Sequence, residues 1–314
     1  MSQPSSQLSS SPPANGNQPG RPRYRIPRPL FWIVLFGFFI PYVVVQVPRE
    51  IGRWHLASAC QLRAKGEAES AYEELDAAAY WFPNSPELLL QRAEWKLKDG
   101  KKEEALAEAE QVVTAGKESY RWLIVHASFV QHAGDFASAV EDWKKIEQFS
   151  LRSGIPSRAT ALNGLAYAQA LANVDVDEAL KNVDEALELV PKEPNILDTR
   201  GFVYFRRGDY ESALKDLDRA VKGLDDDLAV ADEALGDETT PAGYRRAVDM
   251  MPKTLQEIYP VDAAAKRQIY ATAAAVAHYH RSLALKALDR KEEAEKDWEI
   301  ARKLIGREPD ETLF

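Results

Sequence analysis

The sequence predicts an all-α protein: a right-handed solenoid of stacked helical hairpins, preceded by one transmembrane helix and a disordered N-terminal tail. Three observations carry this expectation. Small residues recur every 34 positions, at Gly66, Gly100 and Gly134 and again at Ala71, Ala105 and Ala139. The 20 positions from Pro29 to Pro48 contain no charged residue. The first 20 residues are mostly Ser, Gln, Pro, Asn and Gly. Self-similarity at such a period marks stacked helix–turn–helix units. An uncharged run of that length matches a bilayer core, and a segment with almost nothing apolar to bury stays disordered.

Residues 1–28 form the expected tail, which ends in a basic juxtamembrane stretch holding Arg21, Arg23, Arg25 and Arg28. Residues 29–48 follow as the expected lipid-spanning helix. Pro29 suits a first helical turn, Pro48 marks the stop, and Pro41 would kink the span, which membrane helices tolerate. Four arginines precede the span, while Arg49 and Arg53, offset by Glu50, follow it. The excess of positive charge stays cytoplasmic. The tail is therefore expected inside, and residues 49–314 on the extracytoplasmic (periplasmic or equivalent) side. The net charge is −9, and those four arginines face no acid in their segment, so the rest of the chain is more acidic still. An acidic body repels phosphate, which excludes nucleic acid as a partner. The single Cys60 excludes a disulfide framework. Charged residues separate it from the apolar run, so cleavage or lipidation there is disfavoured and burial in the first hairpin is expected.

The repeat signal continues through the rest of the chain. After a six-residue slip the register resumes at Ala179 and Ala213, again 34 apart. The fullest copy holds Leu197, Gly201, Tyr204, Gly208-Asp209-Tyr210, Ala213, Leu217 and Ala220. Another holds Leu123, Ala127, Val130, Gly134-Asp135-Phe136, Ala139, Trp143 and Ile146, and a last one Leu285, Ala294, Trp298 and Ala301. These positions resemble the tetratricopeptide repeat family, with units near 52–85, 86–119, 120–153, 160–193, 194–227 and 275–308. The repeat domain then runs over 49–308, with an irregular helical insertion at 228–274 and a C-terminal tail at 309–314. Within the insertion, Asp225-Asp226-Asp227 is expected as a solvated break. In each unit the glycine permits a tight turn, and the small residue lets two helices approach closely. No hairpin can bury its apolar face alone, so neighbours must stack.

Nothing in the sequence points to catalysis. His278 and His280 lie two apart on an expected helix and face different ways, so they cannot jointly grip a metal. There is no HExxH, no phosphate-cradling glycine loop and no nucleophile elbow. Glu74, Glu108, Asp142, Asp216 and Asp297 recur at one unit position, which is expected as a solvated face. No enzyme activity, metal or cofactor is expected.

The resemblance implies instead that a protein or peptide partner lies in a concave groove lined by the first helix of each unit. Positions 2, 5, 9 and 12 of that helix share a face. They hold Glu87, Leu90, Glu94 and Leu97 in the second unit. The third has Arg121, Ile124, Ser128 and Gln131, and the fifth has Asn195, Asp198, Phe202 and Phe205. The lysine and asparagine clamp for a terminal carboxylate does not recur there. Arg121, Ile124, Asp198, Phe202 and Phe205 are the candidate contacts, although Phe202 and Phe205 equally suit packing against a neighbouring hairpin. The expected function is that of a membrane-anchored scaffold. The alternatives are a structural subunit of a membrane complex and a non-catalytic helper of an envelope enzyme.

Overall fold

The computed structural model describes residues 28–151, 155–236 and 263–312. The expected tail up to residue 27 and the middle of the 228–274 insertion lie outside the described residues. Among the described residues the chain is helical throughout, with no strand. The N-terminal helices are α1 (Arg28–Val34) and α2 (Ile40–Ala64), joined by a π-helical turn over Leu35–Phe39. Then α3 (Ala68–Trp81), α4 (Pro86–Lys98), α5 (Lys102–Ala115), α6 (Tyr120–His132) and α7 (Phe136–Ser150) complete three hairpins. The next two are α8 (Ile155–Ala172) with α9 (Val176–Leu189) and α10 (Pro194–Arg207) with α11 (Tyr210–Gly236). The last described pair is α12 (Ala263–Ala287) and α13 (Lys291–Ile305).

Local chemistry sets these boundaries. Ser85 Oγ accepts from the Leu88 N–H at 3.4 Å and Asp135 Oδ1 from the Ser138 N–H at 3.2 Å, capping α4 and α7. Pro86 and Pro194 occupy first helical positions, where the missing N–H costs nothing. Gly208 closes α10 at φ +81°, a conformation that an L side chain strains to adopt, and Asp289 takes the corresponding turn at φ +60°.

The 34-residue period corresponds to one hairpin. Ala71, Ala105, Ala139, Ala179 and Ala213 are each fully buried. A Cβ on Gly201 of α10 would come within 2.5 Å of Leu217 Cγ and 3.2 Å of the Ala213 carbonyl oxygen on α11. Backbone approach that close requires small residues at the crossing. Hairpins are also tied end to end. Arg63 donates to Asp99 Oδ2 at 2.9 Å and its guanidinium lies 5.5 Å from the Trp95 ring. Tyr72 donates to the same carboxylate at 3.0 Å. Burial, reinforced by that carboxylate, pushes the Tyr72 phenol up to about 12.

The recurring carboxylates are not on a solvated face. Glu108, Asp142, Asp216 and Asp297 are buried, and Glu74 is half-buried. Each of the four buried groups meets a cationic or imidazole side chain 16 residues earlier, on the first helix of its own hairpin. Arg92 donates to Glu108 at 3.4 Å, and His126 Nδ1 lies 2.5 Å from Asp142. Arg200 donates to Asp216 at 2.6 and 3.0 Å, and Arg281 to Asp297 at 2.6 and 2.7 Å. The fourth hairpin has Ala166 in the cationic position and the neutral Asn182 opposite, which donates instead to Gln169 at 3.1 Å. In the first hairpin Ser58 holds the cationic position, and the half-buried Glu74 meets His55 instead at 2.7 Å. Periodicity revealed the recurrence; burial arises because the hairpin folds the first helix onto this face.

Two other expectations are corrected. Asp225–Asp227 does not break the chain, because α11 runs through it to Gly236, and Asp225 Oδ1 lies 3.2 Å from His278 Nε2. At the ends of the expected helical insertion, residues 228–236 extend α11 and 263–274 belong to α12. Leu228 and Ala231 are buried along this extension, and Leu228 clusters with Ala271 and Ala274. Cys60 is exposed rather than buried, because Ala59 turns inward in its place. As to the span at 29–48, no helix among the described residues is long and apolar enough to cross a membrane. Its uncharged residues are divided between α1, the π-helical turn and the start of α2, whose remainder is charged.

Candidate partner-binding groove

The first helices of successive hairpins line two adjoining clefts. The larger, of about 660 Å³, is bounded by α6, α8, α10 and α12, with Trp143 of α7 contributing to its floor. The smaller, of about 580 Å³, lies between α4 and α6 and holds Leu90, Leu97 and Ile124. Ser128 belongs to both.

Polar atoms of residues that line the larger cleft are packed away from solvent without partners. Gln131 is 6% exposed and Trp143 7%, and among the described residues Gln131 Oε1, Trp143 Nε1 and Asn163 Oδ1 find no hydrogen-bond partner. Leaving such a group unsatisfied costs about 1–3 kcal/mol. The helix-packing geometry explains how they arise. Gly164 lets the Trp143 ring pass, since a Cβ there would come within 2.4 Å of it. That fit fixes the indole against α8.

One end of this cleft is closed by a buried aromatic and ionic cluster. His280 Nδ1 of α12 lies 3.0 and 3.1 Å from the two Asp198 oxygens of α10. The His280 ring stacks on Phe202 at 4.1 Å, and Tyr167 OH lies 3.3 Å from His280 Nε2. Burial, with the nearby Asp198 charge, pushes the Tyr167 phenol well above its ordinary value, so it stays neutral.

The five candidate contacts are thus separated. Ile124 lines the smaller cleft and Asp198 the larger. Arg121 is exposed with its guanidinium 5.0 Å from the Trp122 ring, and it lines neither cleft. Phe202 is fully buried, between His280 and a Phe205 ring at 6.1 Å, and so offers no surface to a partner. Phe205 is half-buried against Phe202 and Tyr210. Of the two openings left by the sequence for this pair, the packing one describes Phe202. The helical face rule reached Ser128, Gln131 and Asn195, which line the larger cleft. It missed Trp143, Asn163 and Tyr167. Asn163 and Tyr167, four apart on α8, share a face that could have been read from sequence; the contribution of a second-helix tryptophan could not.

No family model matches this chain. Over 95 residues it is 32% identical to the Photosystem I assembly protein Ycf3 of Prochlorococcus marinus, covering 30% of this chain and 53% of that protein. A second strain's Ycf3 is 30% identical over the same length. The chain thus spans about half the length of the curated relatives it matches. Similar solved structures include a tetratricopeptide repeat protein from Parabacteroides merdae, at 18% identity and TM-score 0.46, covering 81% of this chain and 93% of that one. Another is MamA from Desulfovibrio magneticus, at 16% identity and TM-score 0.43, covering 55% and 94%.

Proposed function

We propose that this chain is a non-catalytic scaffold that holds a protein partner in the groove formed by the first helices of its hairpins, at a membrane. The observation that carries the reading is the pair of adjoining clefts whose shared wall includes Ser128. Assembling a larger complex is one form of such holding, and it is the form recorded in the name of the Prochlorococcus relatives. Attachment to a bilayer through residues 29–48 is supported by the uncharged run and by the exposure of Ile33 (59%), Phe36 (59%) and Val44 (64%). An extracytoplasmic array is supported by the arginines before the run.

A photoreactive residue at position 128 should capture one defined protein in cells, whereas the same residue at position 181, on the outer face of α9, should not. Equal capture at both positions, or none at 128, would remove the groove from the function. Separately, the full-length chain should stay in the membrane fraction through a carbonate wash, and a version beginning at Arg49 should not. Release of the full-length chain would leave the scaffold but remove its anchor.

A further inference from the structure

We propose that the first hairpin, α2 with α3, is seated in the lipid headgroup layer, with the Trp54 and Tyr80 rings as the groups that hold it there. This rests on the anchoring of residues 29–48 proposed above and adds where the array stands relative to the bilayer. The uncharged run leads into that hairpin without a break. Val34, Phe39 and Ile40, at the joints between α1, the π-helical turn and α2, all keep right-handed helical angles. Trp54 therefore lies on the same helix as the run, about 9 Å along the axis past Pro48. A headgroup layer is about 5–7 Å deep on each side of the hydrocarbon core. The Trp54 side chain also leans back toward the N-terminus of α2, and so toward that layer.

The same level is reached from α3, which runs back alongside α2. Two contacts set the heights: Glu74 Oε2 lies 2.7 Å from His55 Nδ1, and a Cβ on Gly52 would collide with the Phe82 ring. Tyr80 lies between Glu74 and Phe82 along α3, so it stands beside the short stretch of α2 that follows Pro48. Both rings are left in the open, Trp54 63% exposed and Tyr80 79%. Each is two residues from a position packed at the α2–α3 contact, Gly52 and Ala78, and two residues are about 200° of helix. The rings therefore point away from the contact on roughly opposite sides of the hairpin. A protein docked on one face would meet one of them, whereas a headgroup layer surrounds both at one height. Tryptophan and tyrosine suit that layer because each has an apolar body and a polar tip. Arg49 and Arg53, exposed on the same stretch, suit lipid phosphate, and Arg53 reaches Glu50 at 3.0 Å.

The test uses the full-length chain in phosphatidylcholine nanodiscs, with a small fluorophore on a cysteine and a nitroxide on the lipid headgroup as quencher. One labelling site is the native, exposed Cys60, about 18 Å along α2 past Pro48. The other is introduced by Asn84→Cys in a Cys60→Ser chain, at the exposed turn that follows α3, which leaves both rings in place. The fluorophore at position 84 should lose most of its emission and the one at Cys60 little. Adding Trp54→Ser and Tyr80→Ser should restore most of the emission at position 84. It should not lower the melting temperature, because both rings are exposed. Quenching that is equal at the two positions, absent at 84, or unchanged once both rings are removed would overturn the proposal. If the chain stayed with the nanodiscs in those cases, the anchor would stand and only the seat would fall. A chain that did not enter the nanodiscs would remove both.

Discussion

Arg200→Ala is expected to destabilise the array more than any contact on its surface could, and Asp216→Asn in the same chain should restore about half of the loss. In the native chain Arg200 grips Asp216 with two hydrogen bonds and reaches Asp184 with a third at 3.0 Å. The Asp216 side chain is 4% exposed, so losing its partner leaves a buried carboxylate that water cannot hydrate. Breaking such a pair costs about 3–5 kcal/mol when the burial is complete. Here Arg200 is itself 22% exposed and Arg219 lies 3.4 Å from the same carboxylate, which lowers the expectation to about 2–3 kcal/mol. For a domain of this size that is a fall in melting temperature of about 4–12 °C. The double variant recreates the alanine and asparagine found at positions 166 and 182 of the fourth hairpin, where no charge is buried. Thermal melts followed by circular dichroism on the three chains at one pH and concentration decide the matter. A fall below about 1 kcal/mol in the single variant, or a double variant as unstable as the single, would show that the clamp does not neutralise a buried charge.

Further expectations rest on the same packing. Phe202→Ala, which empties a fully buried site beside His280, should cost about 3–5 kcal/mol, and Phe205→Ala distinctly less; equal melting temperatures for the two would contradict their different burial. Ala213→Leu should overpack the crossing with α10 and cost about 1–3 kcal/mol, and an unchanged melt would displace Ala213 from the hairpin interface. Acid should weaken the last hairpin. Burial works against the Asp297 charge, but hydrogen bonds from Arg281 and the contact with His278 outweigh it and hold the carboxyl below its ordinary 3.8. A carboxyl so depressed stabilises the fold at every pH above its unfolded value and loses that contribution as pH falls through the lower, folded one. The protection of amides in α12 and α13, taken relative to the intrinsic exchange rate at each pH, should therefore fall below about pH 4, and Asp297→Asn should flatten that dependence.

The hairpins were legible because their determinants are local and repeated. An alanine at each crossing and a glycine, Asn173 or Asp289 at each turn answer to the same steric demand wherever the unit recurs. The clamp was half legible. Five acidic side chains at one unit position stood out, but a repeated charge looks the same whether it faces water or a cation. A further signal was also in the sequence, in the positions 16 apart: Arg92 with Glu108, His126 with Asp142, Ala166 with Asn182, Arg200 with Asp216 and Arg281 with Asp297, with Ser58 before Glu74 as the exception. Surface charge has no reason to vanish from both members of a pair at once, as it does in the fourth hairpin.

The groove was legible only where the register held. Positions 5, 9 and 12 describe the open face of α4 and α6, because those helices begin at their hairpin's usual boundary: Leu90, Glu94, Leu97, Ile124, Ser128 and Gln131 all line a cleft, whereas Glu87 and Arg121 at position 2 do not. The six-residue slip falls between α7 and α8, and α8 is 18 residues long against 13 for α6. Extra helix at its start changes which side chains meet the groove, so that Thr160, Asn163, Gly164 and Tyr167 do so. On α10 the face rule fails for a different reason. Asn195 and Asp198 line the cleft, but α12 arrives one turn further on and covers Phe202 with His280, 78 residues later in the chain. No periodic pattern within one hairpin carries that contact. It depends on α11 and α12 both extending past the usual unit length and packing along the extension through Leu224, Leu228, Ala271 and Ala274. The aromatic pair that looked most like an anchor for a partner is thus an anchor for the protein's own last hairpin. The cleft beside it, which no aromatic signal advertised, is what remains open.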